Sequence, residues 1–293
     1  LELGNAVSHT LDALLSIERI GWGIGIIEID DENRHDIDTL LRDLLIASER
    51  SLASFTSDFS ILFFDKKMEK HLAREEAITT DIIQVATGRD TETLLLHYQP
   101  IVDLKTGGLV GFEALARMQS KTLGLVPPLE FIPIAEKTKL IVPLRERIIR
   151  LACGFQRQLI EQGFPDISIS INISPIQLLG KAFLGILKKV LNESGVAPSN
   201  IILEITESVV AFNFQEVNQI LRSLRDLGIR IALDDFGTGY SSLSRERELN
   251  IDCIKIDRSF IEKLLELAPK EAITGDIISM AHRMGHLVVA EGV

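Results

Sequence analysis

"IALDDFGTGYSSL", residues 231–243, opens as an apolar run of strand character, sets two aspartates side by side, and passes into glycine, serine and threonine. A strand with so little polar alternation is buried on both faces, as in a parallel sheet covered by helices. Its neighbours repeat the theme. "DISISINIS" (166–174), "IILEIT" (201–206), "IDCIKID" (251–257) and "HLVVAEGV" (286–293) read as strands. Val217, Leu221, Leu224 and Leu227 mark a helix between two of them, and Leu144, Ile148, Leu151, Phe155 and Leu159 mark an earlier one. Upstream, "LLLHYQPIVDL" (94–104) and "GLVGFEALAR" (108–117) are joined by "KTGG", a hairpin signal. The alternation predicts an α/β fold. Seven strands follow residue 93, one fewer than a closed eight-stranded barrel requires. The last of them runs to the end of the sequence, and the expectation is a fragment of a longer protein at both ends.

Composition narrows the class. The 293 residues are 46% hydrophobic and 25% charged, enough apolar surface to bury a large core. A net charge of -11 argues against a binder of nucleic-acid polymers, which carries a basic stripe to displace counterions. Cys153 and Cys253 each sit in an apolar run far apart in sequence, which predicts buried free thiols in a reducing compartment. No stretch of about 18 uncharged apolar residues exists, and no signal peptide opens the chain. The expected location is the cytoplasm, either for the whole protein or for the cytoplasmic part of a longer membrane-anchored one.

The chain divides into three parts. Residues 1–66 hold "GWGIGIIEID" (21–30), the helical stretch "IDTLLRDLLIASERSLASF" (37–55) and "FSILFFD" (59–65), too few apolar runs to close a core alone. "GWGIG" resembles a dinucleotide-binding turn only superficially, because strand residues follow it instead of a helix. Residues 67–92 read as a connecting helix and linker ended by "TGRDTET", and residues 93–293 as the barrel domain.

Polar residues gather near the C-terminal ends of the strands. They are Glu113, Asn172, Glu204 with Glu207, the pair Asp234 and Asp235, Lys255 with Asp257, and Glu291. In parallel α/β barrels that end of the sheet is where sites form. One strand-end aspartate caps a helix as readily as it serves chemistry. Several carboxylates at one place repel each other unless cations sit among them. Oxygen ligands without cysteine or clustered histidine favour Mg2+ or Mn2+ over zinc. Paired divalent ions suit phosphodiester hydrolysis, with Lys255 neutralising the scissile phosphate or orienting the attacking water.

In order and spacing, "FEALAR" (112–117), "INIS" (171–174), "LEITES" (203–208), "DDFGTGYSSL" (234–243), "IKID" (254–257) and "AEGV" (290–293) resemble the EAL-domain phosphodiesterases. "HYQPIVDL" and "PPLEFIPIAE" (127–136) extend the resemblance over residues 94–293. It implies metal-dependent hydrolysis of the bacterial second messenger cyclic di-GMP to linear pGpG. The implied fold is a modified TIM-type (β/α)8 barrel whose first strand runs antiparallel, here incomplete at the C-terminus and preceded by a small α/β segment.

Carried over by motif, Glu113, Asn172, Glu204 and Asp234 would hold one of two ions, and Asp235 the second together with the nucleophilic water. Lys255 would contact that water, Glu291 would complete the site, and Glu207 would brace the loop after Asp235. Arg117 would bind a substrate phosphate, with Gln99, Leu115 and Asp257 also lining the substrate. The family's further glutamine, in a QGY-like segment after the glutamate of "AEGV", falls past residue 293.

The first 66 residues resemble, more loosely, the C-terminal part of a GGDEF domain without its signature, so no cyclase activity is implied. A homodimer through the EAL domain is a further implication. The competing reading is a catalytically silent cyclic di-GMP receptor acting through protein contacts. A purely structural dimerisation module would leave the acidic cluster unexplained.

Overall fold

A computed structural model of the chain describes residues 23–29, 36–53, 60–207, 209, 213–237, 248–262, 264 and 273–292. It divides into two compact units, Leu1–Thr80 and Asp81–Val293. The division falls inside a long helix, later than residue 66, where the sequence places the end of the first segment.

In the smaller unit, β1 (Gly23–Ile26) and β2 (Ser60–Phe63) pair in parallel, and α1 (Ile37–Ala53) supplies the crossover between them. Helix α2 (Lys66–Ala86) follows and stops where Thr87, Gly88 and Arg89 turn back onto its last carbonyls.

The larger unit begins with a hairpin of β3 (Leu94–Val102) and β4 (Leu109–Ser120), with β5 (Gly124–Val126) folding back on β4. Then come α3 (Pro128–Lys137), α4 (Ile141–Glu161), β6 (Ser168–Asn172), the short α5 (Pro175–Leu178), α6 (Phe183–Ser194) and β7 (Ile201–Thr206). They are followed by α7 (Phe214–Asp226), β8 (Arg230–Phe236), β9 (Cys253–Ile256), α8 (Arg258–Glu262), α9 (Thr274–Arg283) and β10 (Leu287–Ala290). The sheet runs in the order β10-β9-β8-β7-β6-β4-β3, with β5 off this path. Every neighbour from β4 to β10 is parallel, whereas β3 pairs with β4 antiparallel. This is a modified TIM-type α/β architecture with a reversed first strand.

The register explains the burial. Ile169, Ile171, Leu203, Ile205, Ile231, Leu233, Ile254 and Ile256 alternate along four neighbouring strands and are fully buried. They form the outer face of the sheet, where α4 packs on β3 and β6 and α7 packs on β8. Each such side chain contributes about 1.5–3 kcal/mol on burial. Between β4 and β6 a Cβ on Gly111 would lie 2.8 Å from the Ser168 hydroxyl and 3.0 Å from the Ser168 carbonyl oxygen, so any larger residue would force β6 to give way.

Helix α4 is rotated from its expected face. Leu144 and Ile148 are buried as the spacing predicts, but Arg145, Ile149, Ala152 and Gln156 complete the stripe. Leu151 and Phe155 are half-buried on the β3 side instead. There Phe155 stacks on Tyr98 at 3.7 Å, and Phe112 meets both rings edge-on. Cys153 and Cys253 are free and buried, as expected.

Candidate active site

Period-two alternation decides which residues share the inner face. Tyr98 and Phe112 point outward to α4, so their neighbours Gln99 and Glu113, which sit opposite each other in the hairpin, face inward. Glu113 pairs with Ser170, Asn172 with Glu204, and Thr206 with Asp234. Lys255 follows two residues after Cys253, which pairs with Ala232 on that same inner face. Leu115 and Arg117 continue the Glu113 face along β4.

Asp235 breaks the rule. Adjacent strand residues point to opposite faces, yet the register shifts between Leu233 and Phe236, and Asp235 takes φ 54°. The bulge turns both carboxylates the same way. One carboxylate oxygen from each of Asp234, Asp235 and Glu291 lies within 4.8 Å of the other two. Glu291 is held there by its own N–H, which donates to the Ile256 carbonyl at 3.1 Å.

Lys255 stands among four of the acids, two of them shared with that group. Its Nζ lies 2.7 Å from Glu204, 2.7 Å from Glu291, 3.0 Å from Asp234 and 3.2 Å from Glu113. The lysine side chain is 3% exposed and that of Glu204 is 1% exposed. A lysine on a buried strand is tolerable only in such company. Asn172 Nδ2 donates to Glu113 Oε1 at 2.8 Å, joining the amide to the cluster.

The electrostatics follow. Burial pushes the Glu204 carboxyl upward; the Lys255 ammonium at 2.7 Å opposes this, while Glu113 and Asp234 add to it. Burial and then the charges of Asp234 and Asp257 raise Asp235, which also places Asp257 within electrostatic reach. Burial raises Glu291 too, against the pull of Lys255. Burial alone would lower Lys255, but Glu204, Asp234 and Glu113 outweigh it and raise the ammonium above its usual value. Five carboxylates thus face one ammonium, and the excess negative charge with an all-oxygen donor set fits hard divalent cations.

The remaining expected residues are placed as follows. The Gly237 N–H donates to Glu207 Oε2 at 3.3 Å. Gly237 has φ 96°, and a Cβ there would strike the Phe260 ring at 2.8 Å, so glycine is needed where the strand leaves the site. Residues 238–247, the rest of the "FGTGYSS" stretch, lie outside the described residues. Arg117 donates to the carbonyl of its own neighbour Ala116 at 2.8 Å. Asp257 accepts from the Ser259 N–H and hydroxyl at the start of α8. An open groove of about 580 Å3 beside Leu95, Tyr98, Arg150 and Phe155 is on the outer face, and none of the clustered acids lines it.

The sequence profile of the EAL domain matches residues 81–293, which is most of the chain and the whole of the larger unit. The chain belongs to the EAL domain family. It is 38% identical over 235 residues to an uncharacterized signaling protein of Caulobacter vibrioides, covering 79% of this chain and 28% of that protein. It is 33% identical over 273 residues to the bifunctional diguanylate cyclase/cyclic di-GMP phosphodiesterase MucR of Pseudomonas aeruginosa, covering 92% of this chain and 38% of that one. The chain therefore spans well under half the length of these relatives. Among solved structures, the PaMucR phosphodiesterase in complex with c-di-GMP is 36% identical with a TM-score of 0.68, covering 74% of this chain and 86% of that one.

Within this EAL domain the sequence anticipated Glu291 only as completing the site, whereas the structure groups it with Asp234 and Asp235. Thr206, paired with Asp234 on the inner face, was not anticipated at all. Strand alternation, two residues on from Glu204, is the signal that would have found it.

Proposed function

We propose that this EAL domain hydrolyses cyclic di-GMP to linear pGpG with Mg2+ or Mn2+, in bacterial second-messenger signalling. The observation that carries the reading is the cluster itself: five carboxylates and one amide from five strands, arranged around a single buried lysine on a sixth. Membership of the EAL family and likeness to a phosphodiesterase in complex with c-di-GMP support it.

Asp234, Asp235 and Glu291 would hold divalent ions, with Glu113, Asn172 and Glu204 as further oxygen donors. Such ions, when bound, supply an acidified water and charge stabilisation on the phosphoryl oxygens. Lys255 donates to the attacking water, and Arg117 takes a substrate phosphate. Gln99 and Leu115 on the inner face, with Asp257, orient the nucleotide. Glu207 fixes the Gly237 turn and so the direction in which Asp235 points. We read the unit as cytoplasmic and homodimeric through the EAL domain, and the β1–α1–β2 segment as the end of a GGDEF-like domain.

The test is to incubate the purified protein with cyclic di-GMP and Mg2+ or Mn2+, follow pGpG chromatographically, and run Glu113→Ala in parallel. Removing this one carboxylate is expected to lower turnover by about 100-fold or more. Binding of the nucleotide without turnover by the unaltered protein would replace the enzyme reading with that of a receptor.

A further inference from the structure

Lys255 and a divalent ion need the same oxygens. Asp234 and Glu291 belong to the three-carboxylate group suited to an ion, and both are also ion-pair partners of Lys255, at 3.0 and 2.7 Å. The ammonium has three N–H groups and four carboxylates within 3.2 Å, so its donors are fully engaged. Its side chain is 3% exposed, which keeps water from easing the competition.

We infer that Lys255 is a built-in competitor of the divalent ion, which holds Asp234 and Glu291 until an ion displaces it and so sets the ion concentration at which the site becomes loaded. The inference rests on the divalent-ion reading given above and adds regulation of that same site. Two consequences follow from charge alone. Removing a unit positive charge a few ångströms from a divalent ion should tighten ion binding roughly tenfold or more. The same change leaves four carboxylates without their counter-charge, so the fold should weaken when no divalent ion is present. Loading also has a further effect: it frees the Lys255 N–H groups to donate to water or phosphate, which they cannot do while four carboxylates hold them.

The experiment measures Mn2+ binding by calorimetry on the full chain without nucleotide, for the unaltered protein, Lys255→Met and Lys255→Arg, together with melting in EDTA. Lys255→Met is expected to bind Mn2+ roughly tenfold or more tightly and to melt lower in EDTA. Lys255→Arg, which keeps the charge, is expected to bind like the unaltered protein. A Lys255→Met variant that folds and binds Mn2+ no more tightly overturns the inference.

If Lys255→Met is unfolded in EDTA and folds on adding Mn2+, the inference stands, because the ion has taken over the role of the ammonium. If it does not fold under either condition, the 15N resonance of the Lys255 ammonium in the unaltered protein decides. Movement during a Mg2+ titration supports competition, and a signal unchanged through saturation rejects it. Absence of divalent binding in all three proteins removes the ion reading of the site and the inference with it. Binding without tightening removes the inference alone.

Discussion

Asp235 adopts φ 54°, a region that costs most L-residues free energy but that Asn and Asp populate more readily than others. That single backbone angle lets two consecutive carboxylates serve one site. The adjacency of the two aspartates is plain in the sequence, but strand alternation read alone would send them to opposite faces. The bulge that reconciles them has no residue signature of its own. Two substitutions separate conformation from chemistry. Asp235→Asn keeps a side chain suited to the left-handed region and should change stability by less than about 1 kcal/mol. Its turnover should nevertheless fall by about 100-fold or more. Asp235→Val should also cost about 1–3 kcal/mol of stability, because a β-branched residue is strained at that angle. Urea unfolding alongside pGpG formation measures both. An Asn variant with full turnover would remove Asp235 from the chemistry.

At the level of elements, the entry to β3 and the underside of α5 each rest on one charged side chain. Asp90, buried midway along the α2–β3 connection, accepts from the backbone N–H groups of Thr93 at 3.0 Å and Glu92 at 2.8 Å, and pairs with Lys121 at 3.2 Å. Those backbone bonds, then the lysine, hold its carboxyl well below the usual range. A depressed carboxylate stabilises the fold above its unfolded pKa and loses that contribution as pH falls through the folded value. Asp90→Asn should therefore melt below the unaltered protein at pH 6, with the gap closing as pH drops below about 4. A gap independent of pH would show that shape alone matters there.

Arg145 presents the opposite case. Its guanidinium is buried over the Phe183 ring at 4.9 Å and gives one hydrogen bond, to the Gln177 carbonyl at 2.8 Å, while its Nε has no partner among the described residues. A buried charge so sparsely satisfied contributes little net stability. Arg145→Met should thus unfold within about 2 kcal/mol of the unaltered protein, on either side. Arg145→Ala, which also loses the packing of the stem, should cost about 2–4 kcal/mol. The same helix shows what periodicity hides. A charge inside "LRERIIR" reads as solvated, and it is the neighbouring α5 at Gln177, with Phe183, that makes it buried. Hairpin strand β5 was missed for a related reason: three residues are too few for any period to register.

At the scale of the molecule, the architecture was legible because apolar strands and amphipathic helices alternate at lengths that allow few other arrangements. The reversed first strand was legible from the hairpin turn alone, and likeness to a family agreed with it. No local preference for either direction is written in "LLLHYQPIVDL"; the short "KTGG" turn is what forces the antiparallel return.

The division into two compact units sets a last expectation. All of the clustered acids and Lys255 lie in Asp81–Val293, and none of them lies in the smaller unit. An ion that binds only the folded form of one unit stabilises that unit by mass action, by about 2.7 kcal/mol at a hundred times its dissociation constant. Differential scanning calorimetry of the full chain should therefore show two transitions. Mn2+ should raise one, EDTA should restore it, and the other should stay within error of its starting temperature. Sodium chloride at matched ionic strength should not reproduce the shift, because screening weakens repulsion among exposed charges far more than among buried ones. A single transition that moves as a whole would mean that the two units unfold as one cooperative body. An equal shift with sodium chloride would mean that the acidic cluster responds to ionic strength and holds no ion of its own.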